Sequence, residues 1–237
     1  MSDLPFSQSC ENNKQPILQA LQRLLAGNAH VLEIAGGTGQ HAECFAAALP
    51  HLRWQSSDIP SNVDSLNLRL SQAALDNLPV AVALDVNQGE WLLGKWPIVF
   101  MPFDASDKST SIFAEPFKRL RRALAIKERG KFDALFSANS LHIMSAGSAT
   151  NFFLGAGKLL DEGALLIVYG PFNYDGAFTS PSNAEFDVWL KERNPQSGIR
   201  DFETINATAD IAGFELLEDN PMPANNRLLV WRRCPKD

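Results

Sequence analysis

Cysteine is scarce in this chain of 237 residues. Cys10, Cys44 and Cys234 are scattered, odd in number and without a CxxC pair. Such a set supports neither a disulfide framework nor a zinc site, and it fits a reducing cytoplasm. Long apolar runs are missing as well: none reaches the roughly 18 residues that a membrane span needs. The opening MSDLPFSQSCENN has no basic start and no apolar stretch, so no secretory signal is expected. A basic excess is absent too, with 21 Lys and Arg against 27 Asp and Glu and a formal charge of -6. Nucleic-acid binders draw their phosphate contacts from Lys and Arg, so the balance argues against DNA or RNA as a partner. Internal repeats, low-complexity tracts and the H-E-x-x-H zinc pattern are also lacking. No metal is expected.

What is present is the composition of an ordinary folded domain. Hydrophobic residues make up 45% and charged residues 20%, which places the chain among soluble globular proteins. Its length suits one well-buried α/β domain over 1–237 and is short for two.

Strand-like and helix-like periodicities alternate along the chain. A helix is expected from about Asn13 and Pro16, with Ile17, Leu18, Leu21, Leu24 and Leu25 on one stripe and Gly27-Asn28 ending it. His30–Ala35 reads as a buried first strand, Leu52–Ser57 as a second and Pro79–Leu84 as a third. Lys131–Ala138 and Ala164–Tyr169 follow as the fourth and fifth. Helices are expected at Val63–Leu75, at Ala149–Leu160 and after Asp201, and Phe214–Leu217 and Arg227–Trp231 are the last strands. Two segments break the rhythm. One, about 97–130, looks inserted and carries a helical pattern near Ala114–Glu128. The other, about 170–200, is rich in Pro, Gly, Asn and Ser and lies just after the fifth strand, where ligands bind in open parallel sheets. Both are candidate lids or substrate walls.

The chemistry concentrates at Val31-Leu32-Glu33-Ile34-Ala35-Gly36-Gly37-Thr38-Gly39. A strand runs into small residues and then a helix, so backbone and unpaired helix N–H groups can approach a ligand closely. Gly37 to Ala42 also matches G-x-G-x-x-A, the dinucleotide fingerprint. Three acids surround that turn. Asp58 ends the second strand about 20 residues later, where an acid meets ribose hydroxyls with either cofactor. Glu33 is buried ahead of the glycines and needs a partner. The ammonium of a bound amino-acid moiety would serve, and so would a Lys or Arg from elsewhere. Asp85 ends the third strand, placed to accept from an adenine amino group or to hold a turn. His41, just after the glycines, is a further candidate contact, with core packing as its plainer role.

These residues carry a resemblance. V-L-E-I-A-G-G-T-G resembles the first motif of class I S-adenosylmethionine-dependent methyltransferases, E/D-x-G-x-G-x-G, with Ala35 in place of the first glycine. More narrowly, the chain is similar to an uncharacterised methyltransferase-like family, domain of unknown function 938. The similarity runs through ENNKQPIL, GTGQHA, WQSSD, ANSLHI, YGPF, SNAEFDVWLKERNPQSGIRD and PANN. It implies a doubly wound, mostly parallel seven-stranded sheet with an antiparallel last strand, S-adenosylmethionine as cofactor and Glu33, Ala35, Gly36, Gly37, Gly39, His41, Asp58, Asp85 and Asn139 around it. It supplies no substrate. The inserted Pro97–Gly130 and the Met144-Ser145-Ala146-Gly147 run, where that family tends to have a Pro-Trp pair, depart from the pattern near the expected substrate mouth.

Methyl transfer needs in-line positioning and, for a protonated acceptor, a base. His142 and Asn139 follow the fourth strand and are the catalytic candidates. Against that stands a histidine merely packed under the cofactor. Tyr169, Phe172, Asn183, Arg200, Asn225 and Asn226 form a candidate pocket for a small-molecule acceptor. Arg200 would clamp a carboxylate or phosphate, or else pair with Asp201. The basic run Lys118, Arg119, Arg121, Arg122, Lys127, Arg129 and Lys131 reads as the solvated face of an amphipathic helix. A nicotinamide-dependent oxidoreductase and a non-catalytic binding module are the alternatives. The first has no Tyr-x-x-x-Lys pair to support it. Nothing in the sequence sets an oligomeric state.

Overall fold

In a computed structural model of the chain, residues 4–88, Trp91 and 132–235 are described. The inserted segment 97–130, its expected helix and the basic run lie outside the described residues.

Seven strands form one sheet: β1 (His30–Ile34), β2 (Arg53–Asp58), β3 (Val82–Ala83), β4 (Ala134–Ala138), β5 (Leu165–Gly170), β8 (Phe214–Met222) and β9 (Asn226–Arg233). Their order is β3-β2-β1-β4-β5-β9-β8. The first five are parallel, while β9 runs antiparallel to both β5 and β8. A dinucleotide fold keeps six parallel strands in the order 3-2-1-4-5-6. The antiparallel hairpin at this edge departs from that order and matches the expectation for the methyltransferase sheet.

Alternation along the strands feeds two separate cores. Val31, Ile167, Leu228 and Val230 face one side, where α1 (Gln8–Leu24), α2 (Gln40–Ala48) and α3 (Pro60–Ala73) bring Ile17, Phe45 and Leu66 against Trp54 and Phe136. Leu32, Leu166, Leu229 and Trp231 face the other, against Phe152 and Phe153 of α4 (Ala146–Leu159) and Ala209 of α6 (Phe202–Ile211). Glu33 shares the first face with Val31.

Several sequence boundaries shift for identifiable reasons. Helix α1 begins at Gln8, ahead of Asn13, because Ser7 caps it by accepting from the Cys10 N–H at 3.4 Å; Pro16 then stands inside the helix. Helix α3 starts at Pro60, the first-turn position that suits proline. The third strand narrows to two residues, and the last two strands lengthen. Asp201 does stand at the cap of α6, but its side chain makes no capping bond. The largest difference lies in 170–200. That segment holds a 13-residue helix, α5 (Pro181–Arg193), flanked by the short paired strands β6 (Phe172–Asn173) and β7 (Arg200–Asp201). Its buried residues are Asn183, Asp187 and Leu190. An inward face made largely of polar side chains leaves no apolar stripe to read.

Helices α4 and α6 touch at a glycine. A Cβ built on Gly157 would lie 2.3 Å from the Ala212 carbonyl oxygen, whereas one on Gly147 meets nothing closer than Ser145 Oγ at 3.9 Å. Gly157→Ala is therefore expected to lower the unfolding free energy by roughly 1–3 kcal/mol. Gly147→Ala is expected to leave it unchanged or slightly raised. Parallel urea titrations of the two variants test this, and equal midpoints would contradict the close approach.

Candidate functional site

The parallel strands end on one edge, and the polar residues gather there. After β1 the chain turns through Ala35, Gly37 and Gly39, all at positive φ (60°, 56° and 77°), before entering α2. Glycine adopts that region freely, and Ala35 is forced into it at the position where the motif has glycine. The turn is pinned to β2: Gly36 N–H donates to Ser57 O at 2.9 Å and Gly37 N–H donates to Asp58 Oδ2 at 2.7 Å. Asp58 Oδ1 accepts from Ile59 N–H at 2.8 Å and Asn62 Nδ2 at 2.9 Å. A carboxylate offers about four acceptor positions, so one on Oδ2 remains.

Beneath the turn lies Glu33, 2% exposed. Its Oε2 accepts from Trp54 Nε1 at 3.1 Å and from Ser56 Oγ. Among the described residues no Lys or Arg pairs with it. Burial pushes its carboxyl up to about 7, and the nearby Asp58 charge adds to the rise. Asp85 Oδ1 accepts from Asn87 N–H at 2.9 Å and its carbonyl from Gln88 N–H at 3.0 Å, so it shapes the turn after β3.

A second contribution was not legible in advance. The residues before and within the start of α1 close over the glycine turn. Gln40 Oε1 accepts from Ser7 N–H at 2.6 Å and Thr38 Oγ1 at 2.9 Å, while its Nε2 donates to Glu11 Oε1 at 2.6 Å. Arg69 donates to Thr38 O and to Pro5 O, both at 2.7 Å. His41 belongs to this same clasp. Its ring stacks on Phe45 at 5.3 Å, its Nε2 meets Asn13 Oδ1 at 2.6 Å, and burial lowers its pKa to about 4. In the structure it is a core residue joining α1 to α2, the plainer of the two roles the sequence allowed. The signal for this clasp, ENNKQPIL, had no chemistry attached to it in the sequence.

Beside the turn opens a cavity of about 640 Å³. Its walls come from the start of α1, the loop after β4, Tyr169, α5 and the turn between β8 and β9. Cys10 stands on the wall and also lies near Thr38 of the glycine turn, so the two regions adjoin. Both catalytic candidates line the cavity. Asn139 is held at φ 56° with its N–H on Tyr169 O at 2.8 Å, and its side-chain Nδ2 is buried without a partner. His142 is 5% exposed and meets the Phe186 ring edge-on at 5.3 Å. Burial first, and the Arg200 charge second, lower its pKa to about 4, so its imidazole is neutral at ordinary pH.

The six pocket candidates divide. Tyr169, Asn183 and Asn226 line the cavity. The Tyr169 hydroxyl faces Asn13 and Asn226, which partly offset the upward push of burial on its pKa, and Asn183 Nδ2 donates to Thr179 Oγ1 at 2.9 Å and Asn225 O at 3.3 Å. Phe172 does not line it: it is 1% exposed in the second core, because β6 turns its ring inward. Asn225 stands in the adjoining hollow and supplies only its carbonyl. Arg200 is neither an anion clamp nor a partner of Asp201. Its Nε donates to Leu141 O at 3.1 Å, and its Nη2 donates to Gln196 O at 2.8 Å and to Met144 O. It braces the loop that carries His142. Gly198 N–H on His142 O and Ser197 Oγ on Ile143 O, at 2.9 and 2.8 Å, complete the brace. Among the described residues no cluster of His, Cys, Asp and Glu could hold a metal ion, and no helix is long and apolar enough to cross a membrane.

Comparison with known proteins agrees with this architecture. The family model described as "Protein of unknown function (DUF938)" matches residues 4–233. Among solved structures, an O-methyltransferase family protein from Burkholderia thailandensis superposes with a TM-score of 0.70 at 16% identity, over 97% of this chain and 58% of that one. Human N-acetylserotonin methyltransferase in complex with SAM gives 0.68 at 13% identity, over 96% and 53%. The S-adenosylmethionine-dependent methyltransferase SibL gives 0.67 at 18%, over 96% and 56%. The fold is that of class I methyltransferases, and the chain spans a little over half the length of these neighbours.

The raised Glu33 carboxyl has a thermodynamic signature. The folded state keeps the proton up to about pH 7, while an unfolded glutamic acid releases it near 4.5. Stability on this account is full below the lower value and is lost as pH rises through the upper one. Glu33→Gln removes the titration. Relative to the wild type, it is expected to gain on the order of 3 kcal/mol between pH 4.5 and 8. Chemical denaturation across that range measures the gain, and parallel pH profiles for the two proteins would contradict it.

Proposed function

The chain belongs to the DUF938 family of proteins of unknown function, and we propose that it transfers a methyl group from S-adenosylmethionine to a small-molecule acceptor. The observation that carries this reading is the pairing of the Gly37–Asp58 contact with an adjoining cavity that holds an unpaired Asn139 amide and a neutral His142. The residues fit the nucleotide. Ala35, Gly36, Gly37 and Gly39 present backbone without long side chains, and Asp58 retains an acceptor position for ribose hydroxyls. Glu33 offers a carboxyl to the ammonium of the amino-acid end, and Asp85 an acceptor to the adenine amino group. The S-adenosylmethionine bound in the human structural neighbour supports the same nucleotide.

Bound there, the sulfonium supplies an electrophilic methyl group. The chain's own residues then position the acceptor. Asn139 Nδ2 donates a hydrogen bond to the acceptor oxygen and so satisfies an amide that is otherwise stranded in the wall. His142 would take the proton that the acceptor hydroxyl gives up on methylation, and its imidazole would later release that proton to water. Much of the rate comes from holding the reactants in line, with proton removal adding about 10²–10⁴-fold.

Calorimetric titration with S-adenosylmethionine, S-adenosylhomocysteine, NAD and NADP tests the nucleotide. Saturable binding of the two sulfur nucleotides is expected, weakened at least tenfold in a folded Asp58→Ala variant; binding of a nicotinamide nucleotide instead would sink the reading. For the base, His142→Ala is expected to lower kcat about 10²–10⁴-fold with nucleotide affinity unchanged. Because the pKa of His142 is depressed to about 4, its neutral form dominates above that value. The kcat/KM profile is therefore expected to be flat from pH 6 to 8 on this limb, and a rise through pH 6.5 would contradict the assignment. A protein that binds the nucleotide but methylates nothing in a metabolite extract would instead be a binding module.

A further inference from the structure

The cavity wall is asymmetric in charge. Among its described lining residues there is no Asp or Glu, and the one permanent cation is Arg193, at the last position of α5. Nearby carboxylates are committed elsewhere. Asp187 accepts from Ile199 N–H at 2.8 Å and Lys191 Nζ at 2.5 Å, and Glu11 is held by Lys14 and Gln40, both at 2.6 Å. One helical turn before Arg193 stand Trp189 and Leu190, so no acid on α5 is spaced to pair with it. Its guanidinium carbon lies 3.6 Å from the Trp189 ring centroid. A guanidinium stacked this way keeps its N–H edges for an acceptor lying in its plane, and a carboxylate fits that fork with two parallel hydrogen bonds.

The cation is joined to the catalytic candidate by rings. Trp189 stacks on Phe186 at 5.6 Å, and Phe186 meets His142 at 5.3 Å. A run of rings therefore leads from Arg193 to His142, stacked at Phe186 and Trp189 and edge-on at His142, and Asn139 lines the same cavity. The sequence offered Arg200 as an anion clamp or a partner of Asp201, but its guanidinium braces backbone carbonyls. Arg193 takes that place.

Resting on the methyl-transfer reading above, we infer that the acceptor is an aromatic hydroxy acid whose ring lies along Phe186 and Trp189, whose carboxylate pairs with Arg193 and whose hydroxyl meets Asn139 and His142. The hydroxyl and the carboxylate stand at opposite ends of the ring system. A neutral amide of the same shape keeps the stacking but loses the ion pair, and an amine in place of the acid meets repulsion.

The test is binding of one-ring and two-ring hydroxy-aromatic acids, such as 4-hydroxycinnamate, against their primary amides. Each is titrated with and without saturating S-adenosylhomocysteine, using wild type, Arg193→Gln and Arg193→Lys. The acids are expected to bind the wild type at least tenfold more tightly than the amides. That preference is expected to vanish in Arg193→Gln and to persist in part in Arg193→Lys. With any acid that turns over, Arg193→Gln is expected to raise KM while kcat stays within about twofold. Amides binding as tightly as acids, acids failing to bind at all, or a preference that survives Arg193→Gln would overturn the inference. If the nucleotide binds and the preference is absent, this inference alone fails. If the Arg193-dependent preference is present and no sulfur nucleotide binds, the methyl-transfer reading fails and the anion site stands.

Discussion

The structure turns on one hydrogen bond, from the Gly37 N–H to the Asp58 carboxylate, 2.7 Å long. It joins the ends of β1 and β2 where the parallel register has placed Glu33 opposite Ser56 and Ile34 opposite Ser57. That register fixes the surroundings of both acids. Glu33 falls inside, under an indole and a hydroxyl, and holds its proton. Asp58 is buried as well, but it is surrounded by backbone and amide donors. Two carboxyl groups 25 positions apart in sequence thus come to lie two steps apart along a strand pair, with different hydrogen-bond surroundings. The left-handed conformation of Ala35 belongs to the same constraint: the chain must reverse there for Gly37 to reach Asp58.

A second constraint operates across the sheet. The loop that carries His142 has no regular structure of its own. Arg200, Ser197 and Gly198 give its backbone carbonyls partners from the other side. Asp187 in turn receives the N–H of Ile199, next to Arg200. The polar inner face of α5 is thus explained. Its buried asparagine and aspartate satisfy loop backbone, which apolar residues cannot do.

The sequence was most readable where local rules act alone. Alternating apolar residues gave the strands, and the small residues after β1 gave the turn. The acids at the ends of β1 and β2 could be named because their spacing follows from the fold. Asn139 and His142 were identified from their place after β4. Reading failed where a side chain's role depends on a distant partner. Arg200 looks like an anion clamp until Leu141, Met144 and Gln196 are brought to it. Phe172 looks like a pocket wall until β6 turns it inward. Arg193 and Gln40 stand in matching segments that assign them no chemistry: each acquires its place from its neighbours, Trp189 for the first and Ser7 and Glu11 for the second. Helix α5 was hidden because its buried residues are polar.

The Tyr169 hydroxyl faces both Asn13 and Asn226. Asn13 belongs to the first helix and Asn226 opens the final strand, and Arg23 in that same helix grips Glu218 of the final hairpin at 2.6 Å. The cavity wall is therefore closed by residues from the first helix and from the last strand pair, distant in sequence and adjacent in space. The nucleotide turn is built from β1, β2 and the helices beside them, but the acceptor chamber has no far wall until β9 lies between β5 and β8. Loosening that strand pair would open the chamber and leave the turn intact.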